Sequence, residues 1–383
     1  MNLRINQIGF VENYLKNVLD ESVHAKRIRS LADATIGVMT GASLAVSVIG
    51  QSLAHAKNLT TKHAIKQVDR LLGNRGIVVW DMFEEWVKEV LGERKEVRVS
   101  MDWTDHDADN QSTLALNLVT THGRATPLLW LTVDKDELKD KRNDWEDLCL
   151  SKLAGILPEG LIVTILADRG FGDTKLFEFL TTIGFEYVIR FRGNINVSAA
   201  NGETKLAAEW VGKDGRARKL VDAEIAAVHH KVGAVVCVKA KNMKEAWCLA
   251  ASDASPPTRE IVNHYAKRWS IEPSFRDTKD LRFGMGMDVL RIADPERRDR
   301  LLLLNAFAIL LITILGMAGE SLGMDRLLKS NTSKKRTHSL FRQGCMLYDW
   351  MPTMSDFRLL PLAERFVALI NQNRALAPLF AAI

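Results

Sequence analysis

Three acidic residues sit in local settings that could bring them together. Asp102 interrupts the β-type run Val97-Arg98-Val99-Ser100-Met101-Asp102-Trp103-Thr104, and Asp168 directly follows the apolar run Leu161 to Ala167. Glu272 lies in the helix-like stretch Tyr265-Ala266-Lys267-Arg268-Trp269-Ser270-Ile271-Glu272. Three converging carboxylates beside Arg and Lys are the donor set that two-metal phosphodiester chemistry needs. The carboxylates hold the ions, and the ions and cations hold the phosphate. On an ideal helix each residue turns about 100°, so Tyr265, Arg268, Glu272 and Lys279 share one face. That row suits a metal-binding Glu272 with Arg268 and Lys279 gripping nearby phosphates. For the helix taken alone, a salt-bridged solvent face is the alternative. Pro273 follows Glu272 directly. Either the helix kinks there, or Ser270 caps a fresh helix with Pro273 in its first turn.

The elements that must position these residues are legible as pattern. β-type runs at 97–103, 113–121 and 126–133 precede an amphipathic helix from about 144 to 157, a strand at 161–167, a helix from about 174 to 183 and a strand at 186–191. The order β-β-β-α-β-α-β is that of the ribonuclease H fold, in which strands one and four are adjacent and parallel. Asp102 and Asp168 then become neighbours near the carboxyl edge of the sheet, where open α/β sheets tend to bind ligands. Residues 193–255 contain Gly193, Gly202, Gly212, Gly215 and Gly233, with β-type runs at 223–230, 234–239 and 246–251, and read as a β-rich insertion. A long helix carrying Glu272 and an apolar helix at 300–317 follow.

The predicted fold class is therefore α/β. An all-helical DNA-binding domain occupies 1–94, and a ribonuclease H-like catalytic core occupies 95–192 and 256–320. The β-rich insertion spans 193–255, and a helical and basic C-terminal region spans 321–383. The chain's 383 residues are enough for two or three domains. Its net charge of +5 is uneven, because residues 1–80 hold ten Lys and Arg against five Asp and Glu. In that region Lys62, Lys66 and Arg70 form a row four apart on a predicted helix whose other face carries Ile65, Val68, Leu71 and Leu72. Short helices with such a row resemble a helix-turn-helix DNA reader; a helical bundle with a solvated basic face is the alternative. A second basic stretch, Lys329 to Arg342, reads as a loop contact to phosphate. Phe357, Leu359, Leu360, Phe366, Leu369 and Ile370 suggest a last amphipathic helix packed on the body.

The spacing Tyr265-x2-Arg268-x3-Glu272-x6-Lys279 is similar to the signature of the insertion sequence four family of DDE transposases. The text from Tyr265 to Lys279, and the stretch Thr61 to Arg75, resemble its Tn-ten-like branch. Asp102-Trp103-Thr104 and Ala167-Asp168-Arg169-Gly170-Phe171 match the first-acid and second-acid motifs. The resemblance spans roughly residues 25–320. It implies a catalytic and metal-binding triad of Asp102, Asp168 and Glu272 holding two Mg²⁺ ions, with Mn²⁺ as a substitute. It further implies cut-and-paste transposition of double-stranded DNA through a hairpin, with strand transfer to target DNA and a homodimer in the DNA complex. Trp247 matches a Trp from the insertion that stacks on a flipped base; a sheet-core aromatic is the alternative for it.

Rival readings find less support. Asp105, Asp107 and Asp109 lack the Gly and Glu of a calcium loop. His229-His230 has no partners at ligand spacing. No phosphate-binding G-x-x-x-x-G-K-[ST] run occurs, so no nucleotide cofactor is expected. Cys149, Cys237, Cys248 and Cys345 lack zinc spacing and read as free thiols, in keeping with a reducing cytoplasm, where the resemblance implies a nucleoid-associated protein. The apolar run 301–316 includes Asn305 and falls short of the roughly 20 residues of a membrane span, so it reads as a core helix. A non-catalytic DNA-binding derivative and a nuclease without strand transfer are the remaining alternatives.

Overall fold

The computed structural model describes residues 2–19, 23–282 and 284–371. The chain opens with five helices: α1 (Asn2–Leu19), α2 (Ala25–Gly41), α3 (Val46–Lys57), α4 (Thr61–Leu72) and α5 (Val79–Leu91). Apolar spacing decides how they pack. In α4, Ala64, Val68, Leu71 and Leu72 are buried, while Lys62, Lys66 and Arg70 stay exposed on the other face. α3 and α4 are joined by a short turn that begins at Asn58, in the left-handed region with φ 54°.

The next elements are β1 (Glu96–His106), β2 (Gln111–Val119), β3 (Ala125–Asp134), α6 (Arg142–Ile156), β4 (Ile162–Ala167), α7 (Thr174–Thr182) and β5 (Glu186–Phe191). They are followed by β6 (Asn196–Ser198), β7 (Thr204–Leu206), β8 (Arg218–Ile225), β9 (His230–Val238) and β10 (Trp247–Ala251). All ten strands form one sheet in the order β3-β2-β1-β4-β5-β10-β9-β8-β6-β7. β1 is parallel to β4 and β4 to β5, while β1 pairs antiparallel with β2 and β2 with β3. This mixed α/β arrangement is consistent with a ribonuclease H-like core. The strands after β5 do not build a separate sheet. β10 pairs antiparallel with β5 and carries β9, β8, β6 and β7 outward from it. One expected run needs correction. Residues 223–230 are not one strand: β8 ends at Ile225 and β9 begins at His230, with Ala226 at φ 65° and His229 at φ 51° turning the chain.

The helices that complete the body are α8 (Thr258–Lys267), α9 (Ile271–Lys279), α10 (Pro295–Ser321), α11 (Leu340–Trp350) and α12 (Asp356–Asn371). The long helix expected around Glu272 is broken. A 3₁₀ turn at Arg268–Ser270 separates α8 from α9. Pro273 falls in the first turn of α9, where its missing N–H costs nothing. Ser270 stands at the cap position but makes no side-chain capping bond.

α10 is the hub. Asp294 caps it by accepting from the Glu296 N–H at 2.9 Å, and Pro295 begins it. By length and composition it could cross a membrane, but its apolar stretch is buried inside the fold. Its acid Asp299 accepts from the Thr132 hydroxyl of β3 at 2.6 Å, and its Arg300 donates to the Leu72 carbonyl of α4 at 2.6 Å. The N-terminal helices and the sheet therefore share one continuous core. In α12, Leu359, Leu369 and Ile370 are buried, and Phe366 meets Phe10 at 5.3 Å between ring centroids. Phe357 and Leu360, expected to pack with them, face solvent instead.

α10 and α11 approach so closely that glycine backbones touch. A Cβ on Gly316 would stand 1.9 Å from the Leu340 carbonyl oxygen, and one on Gly344 would stand 1.9 Å from that of Ile312. Gly155, inside α6, has open space around it. The same substitution should therefore act with opposite signs. Gly316→Ala and Gly344→Ala should each destabilise by about 1–3 kcal/mol through overpacking. Gly155→Ala should stabilise by about 0.5–1 kcal/mol through helix propensity. Melting temperatures of the three variants check this.

Candidate active site

The sheet register places the first two acids. The last rung between β1 and β4 is Met101 with Ala167, so Asp102 and Asp168 are the next residue on each strand. There the strands part company. β1 continues against β2 as far as His106 with Gln111, whereas the chain after β4 turns away at Arg169–Phe171. Asp168 caps that turn, its Oδ1 accepting from the Gly170 N–H at 2.7 Å. Trp103, next to Asp102, donates its indole N–H to buried Glu146 of α6 at 2.7 Å, which fixes this part of β1.

The third acid arrives with α9. Glu272 lies in its first turn, directly after the 3₁₀ turn that carries Arg268. Arg268 is only 8% exposed and stands between two of the acids. Its Nη1 donates to Asp102 Oδ2 at 3.2 Å, and its Nη2 is 3.7 Å from Glu272 Oε1. Burial pushes the Asp102 carboxyl up to about 6. Arg268 opposes that rise, and the nearby charges of Asp168 and Glu272 add to it. Asp168 and Glu272 are thus each within electrostatic reach of Asp102. At the far end of α9, Lys279 Nζ donates to the Asp105 carbonyl at 2.7 Å and the Thr104 hydroxyl at 3.2 Å, both on β1.

Tyr265 and Trp247 meet edge to face, with ring centroids 4.8 Å apart at 76°. Tyr265 is buried in a small cluster with Val119, Leu166 and Val188, and burial raises its phenol. Trp247 is half-buried against the same cluster. Beside it, Glu245 pairs with Arg169 at 2.7 Å and Arg190 at 3.0 Å. Tyr265, Arg268, Glu272 and Lys279 do not share one uniform exposed row, because the break before α9 turns the first two inward.

Several positioning residues gave no signal in the sequence. Ser274 of α9 accepts from the Ala125 N–H at 2.8 Å and lies 3.0 Å from the Ala125 carbonyl. Asp277 is buried and pairs with Arg124. Asn305 of α10 donates to Thr278 at 3.0 Å. These bonds mount α9 on the start of β3 and on α10, but Ser274 and Asp277 are some 150 residues from their partners Ala125 and Arg124, so nothing local announces them. The remaining predicted residues lie elsewhere. Lys62, Lys66 and Arg70 are on α4, which is tied to the start of α10 through Asp69 and Arg297 at 2.6 Å.

Oxygen donors of this kind suit a hard divalent cation such as Mg²⁺ or Mn²⁺. Among the described residues, no three such donors converge closely enough to hold an ion as they stand. The side chain between Asp102 and Glu272 is Arg268, a cation already supplying part of the charge that the acids require.

Residues 133–311 match the family model described as "Transposase DDE domain". That range includes Asp168, Trp247, Tyr265, Arg268, Glu272 and Lys279, and begins after Asp102. No curated protein matches the chain. Over that segment, a little under half of the chain, the protein is similar to DDE transposases.

If Arg268 is the cation that lets the acids sit together, its loss should be felt most without metal. Arg268→Ala should destabilise the protein in chelator by the lower part of about 3–5 kcal/mol, since Asp102 and Glu272 keep some contact with water. Adding Mn²⁺ should recover more stability in the variant than in the wild type. Thermal melts with and without Mn²⁺ read both effects.

Proposed function

We propose that this chain is a cut-and-paste DNA transposase of the insertion sequence four family, Tn-ten-like branch. In this reading it acts at its element's ends by strand cleavage, hairpin formation and strand transfer. The observation that carries the proposal is that Arg268 pairs with both Asp102 and Glu272 while Asp168 follows the last β1–β4 rung beside Asp102, in a chain whose 133–311 segment matches a transposase DDE domain. The domain assignment made from sequence, with 1–94 reading DNA and 95–192 and 256–320 carrying chemistry, belongs to the same proposal.

The residues divide the work by chemistry. Asp102, Asp168 and Glu272 would hold two Mg²⁺ ions. When bound, such ions supply an activated oxygen nucleophile and stabilise charge at the attacked phosphate. Arg268 would move from carboxylate to phosphate as the ions take over its role, using a guanidinium suited to either partner. Lys279, held at the end of α9 by β1, would place a second positive charge along the same strand. Trp247, beside Tyr265, would offer an aromatic face to a base flipped out of the duplex at the hairpin, worth about 1–3 kcal/mol. Lys62, Lys66 and Arg70 would follow the phosphates of the transposon end. A homodimer would form on DNA.

Burial changes how the N-terminal assignment is tested. Residues 1–80 cannot be cut away cleanly, because α2 and α4 share the core and Arg300 is anchored on α4. Surface substitution avoids that damage. The combined variant Lys62→Ala, Lys66→Ala, Arg70→Ala should still fold and should weaken binding to end DNA. The slope of log affinity against log salt should fall by up to about 0.9 for each phosphate that is no longer neutralised. An unchanged slope would remove α4 from the interface.

Chemistry is tested separately. Asp102→Ala, Asp168→Ala and Glu272→Ala should each abolish Mg²⁺-dependent cleavage of end DNA and leave DNA binding intact. Trp247→Ala should spare the first nick and reduce hairpin formation by roughly 5–150-fold. A matched loss of nicking and hairpinning together with a lower melting temperature would assign Trp247 to packing.

A further inference from the structure

Exposed cations with no acid partner can meet phosphate without first breaking an ion pair. Near the C-terminal end of α10, Lys329 is held by Asp325 at 2.8 Å, and Arg336 is held by Glu320, with Nε donating at 2.9 Å. Lys334, Lys335 and Arg342 are different. They are exposed, and none forms an ion pair among the described residues. Arg276, one turn beyond Glu272 on α9, is exposed and unpaired in the same sense.

Glu320 accepts from both Arg336 and Gln343, which brings the loop carrying Lys334 and Lys335 beside the first turn of α11 and Arg342. Arg276 and Arg342 both act on the Asp277 carboxyl, and Phe341 joins Asp277 and Arg124 in lining a cavity of about 60 Å³ beneath α9. The first turn of α11 therefore faces the second half of α9 across that cavity. On α9 itself, Arg276 is only about 40° around the helix from Glu272. The positive surface begins on the face that carries the acid and runs toward α11 and the loop before it.

This surface is distinct from the row on α4. α4 is fastened to the first turns of α10 through Asp69 with Arg297, while the 334–342 segment is fastened to its last turns through Glu320 with Arg336. Arg297 and Glu320 are separated by about 35 Å along the helix. α9 meets α10 between them, where Asn305 bonds Thr278. The carboxylates thus have a cationic surface toward each end of α10. Strand transfer brings two duplexes to one set of carboxylates, and α4 can serve only one of them.

We propose that Arg276, Lys334, Lys335 and Arg342 form the surface that holds the target duplex. This rests on the transposase reading. Phosphate contacts from Lys and Arg position a duplex without reading its bases, so such a surface grips DNA with little sequence preference. That suits a duplex of no fixed sequence.

The test uses the full chain carrying Lys334→Glu, Lys335→Glu and Arg342→Glu, with Mg²⁺, its own element's ends and a supercoiled plasmid target. Intact ends measure cleavage; pre-cut ends measure joining. The expected result is unchanged end binding and end cleavage, with joining to plasmid reduced about tenfold or more and more sensitive to salt. The corresponding triple Ala variant should show the same pattern more weakly, with an unchanged melting temperature, which separates lost charge from lost folding. Normal joining by a folded variant would overturn the target surface alone. Parallel loss of end binding and cleavage would assign the surface to end DNA and also overturn it. A wild-type protein inert on its own ends would bring down the transposase reading, and the target surface with it.

Discussion

Everything at the candidate site depends on a cation standing among gathered carboxylates. Asp102 is poorly solvated and feels the charges of Asp168 and Glu272, which together push its carboxyl up to about 6. Such a cluster is unfavourable unless positive charge is supplied. In the chain itself Arg268 supplies it, buried between Asp102 and Glu272. In the proposed function the same imbalance would be met by divalent ions, whose charge is larger and more compact. A guanidinium can be displaced toward phosphate, so one side chain can stabilise the resting fold and also contribute to a loaded site.

The scaffold is built to keep these charges in register. The parallel pairing of β1 with β4 stops one residue short of Asp102 and Asp168, so both acids stand where those two strands part. α9 reaches them from the other side. It is short, and Ser274, Asp277, Thr278 and Lys279 fix it along its length to the start of β3, α10 and β1. α10 in turn joins the sheet to the N-terminal helices through Asp299 and Arg300. A DNA reader on α4 would therefore be rigidly connected to the chemistry and not loosely tethered to it.

Much of this is legible in the sequence, for identifiable reasons. β4, before Asp168, is strongly apolar and rich in β-branched residues, and β1 alternates apolar Val97, Val99, Met101 and Trp103 with polar residues, so both patterns point to strands. The break before Glu272 is signalled by Pro273, whose ring excludes it from a helix interior. Other features leave no local trace. The bonds from Ser274 and Asp277 to Ala125 and Arg124 join residues far apart in the chain. The close approach of α10 and α11 rests on Gly316 and Gly344, which in sequence look like weak points in a helix and in space let the backbones meet. The extension of the sheet beyond β5 depends on pairing at an edge, which hydrophobic pattern alone does not specify. Phe357 falls in an apolar stripe yet is 89% exposed, because apolar periodicity gives a helix face without saying what covers it.

The central claim is that three carboxylates from β1, β4 and α9 make one divalent-ion centre. Calorimetric titration of Mn²⁺ into the folded protein bound to end DNA tests it without requiring turnover. The account predicts two ions per chain, with affinity lost to a similar degree in Asp102→Asn, Asp168→Asn and Glu272→Gln. Ion binding that survives unchanged in any one of these variants would contradict it.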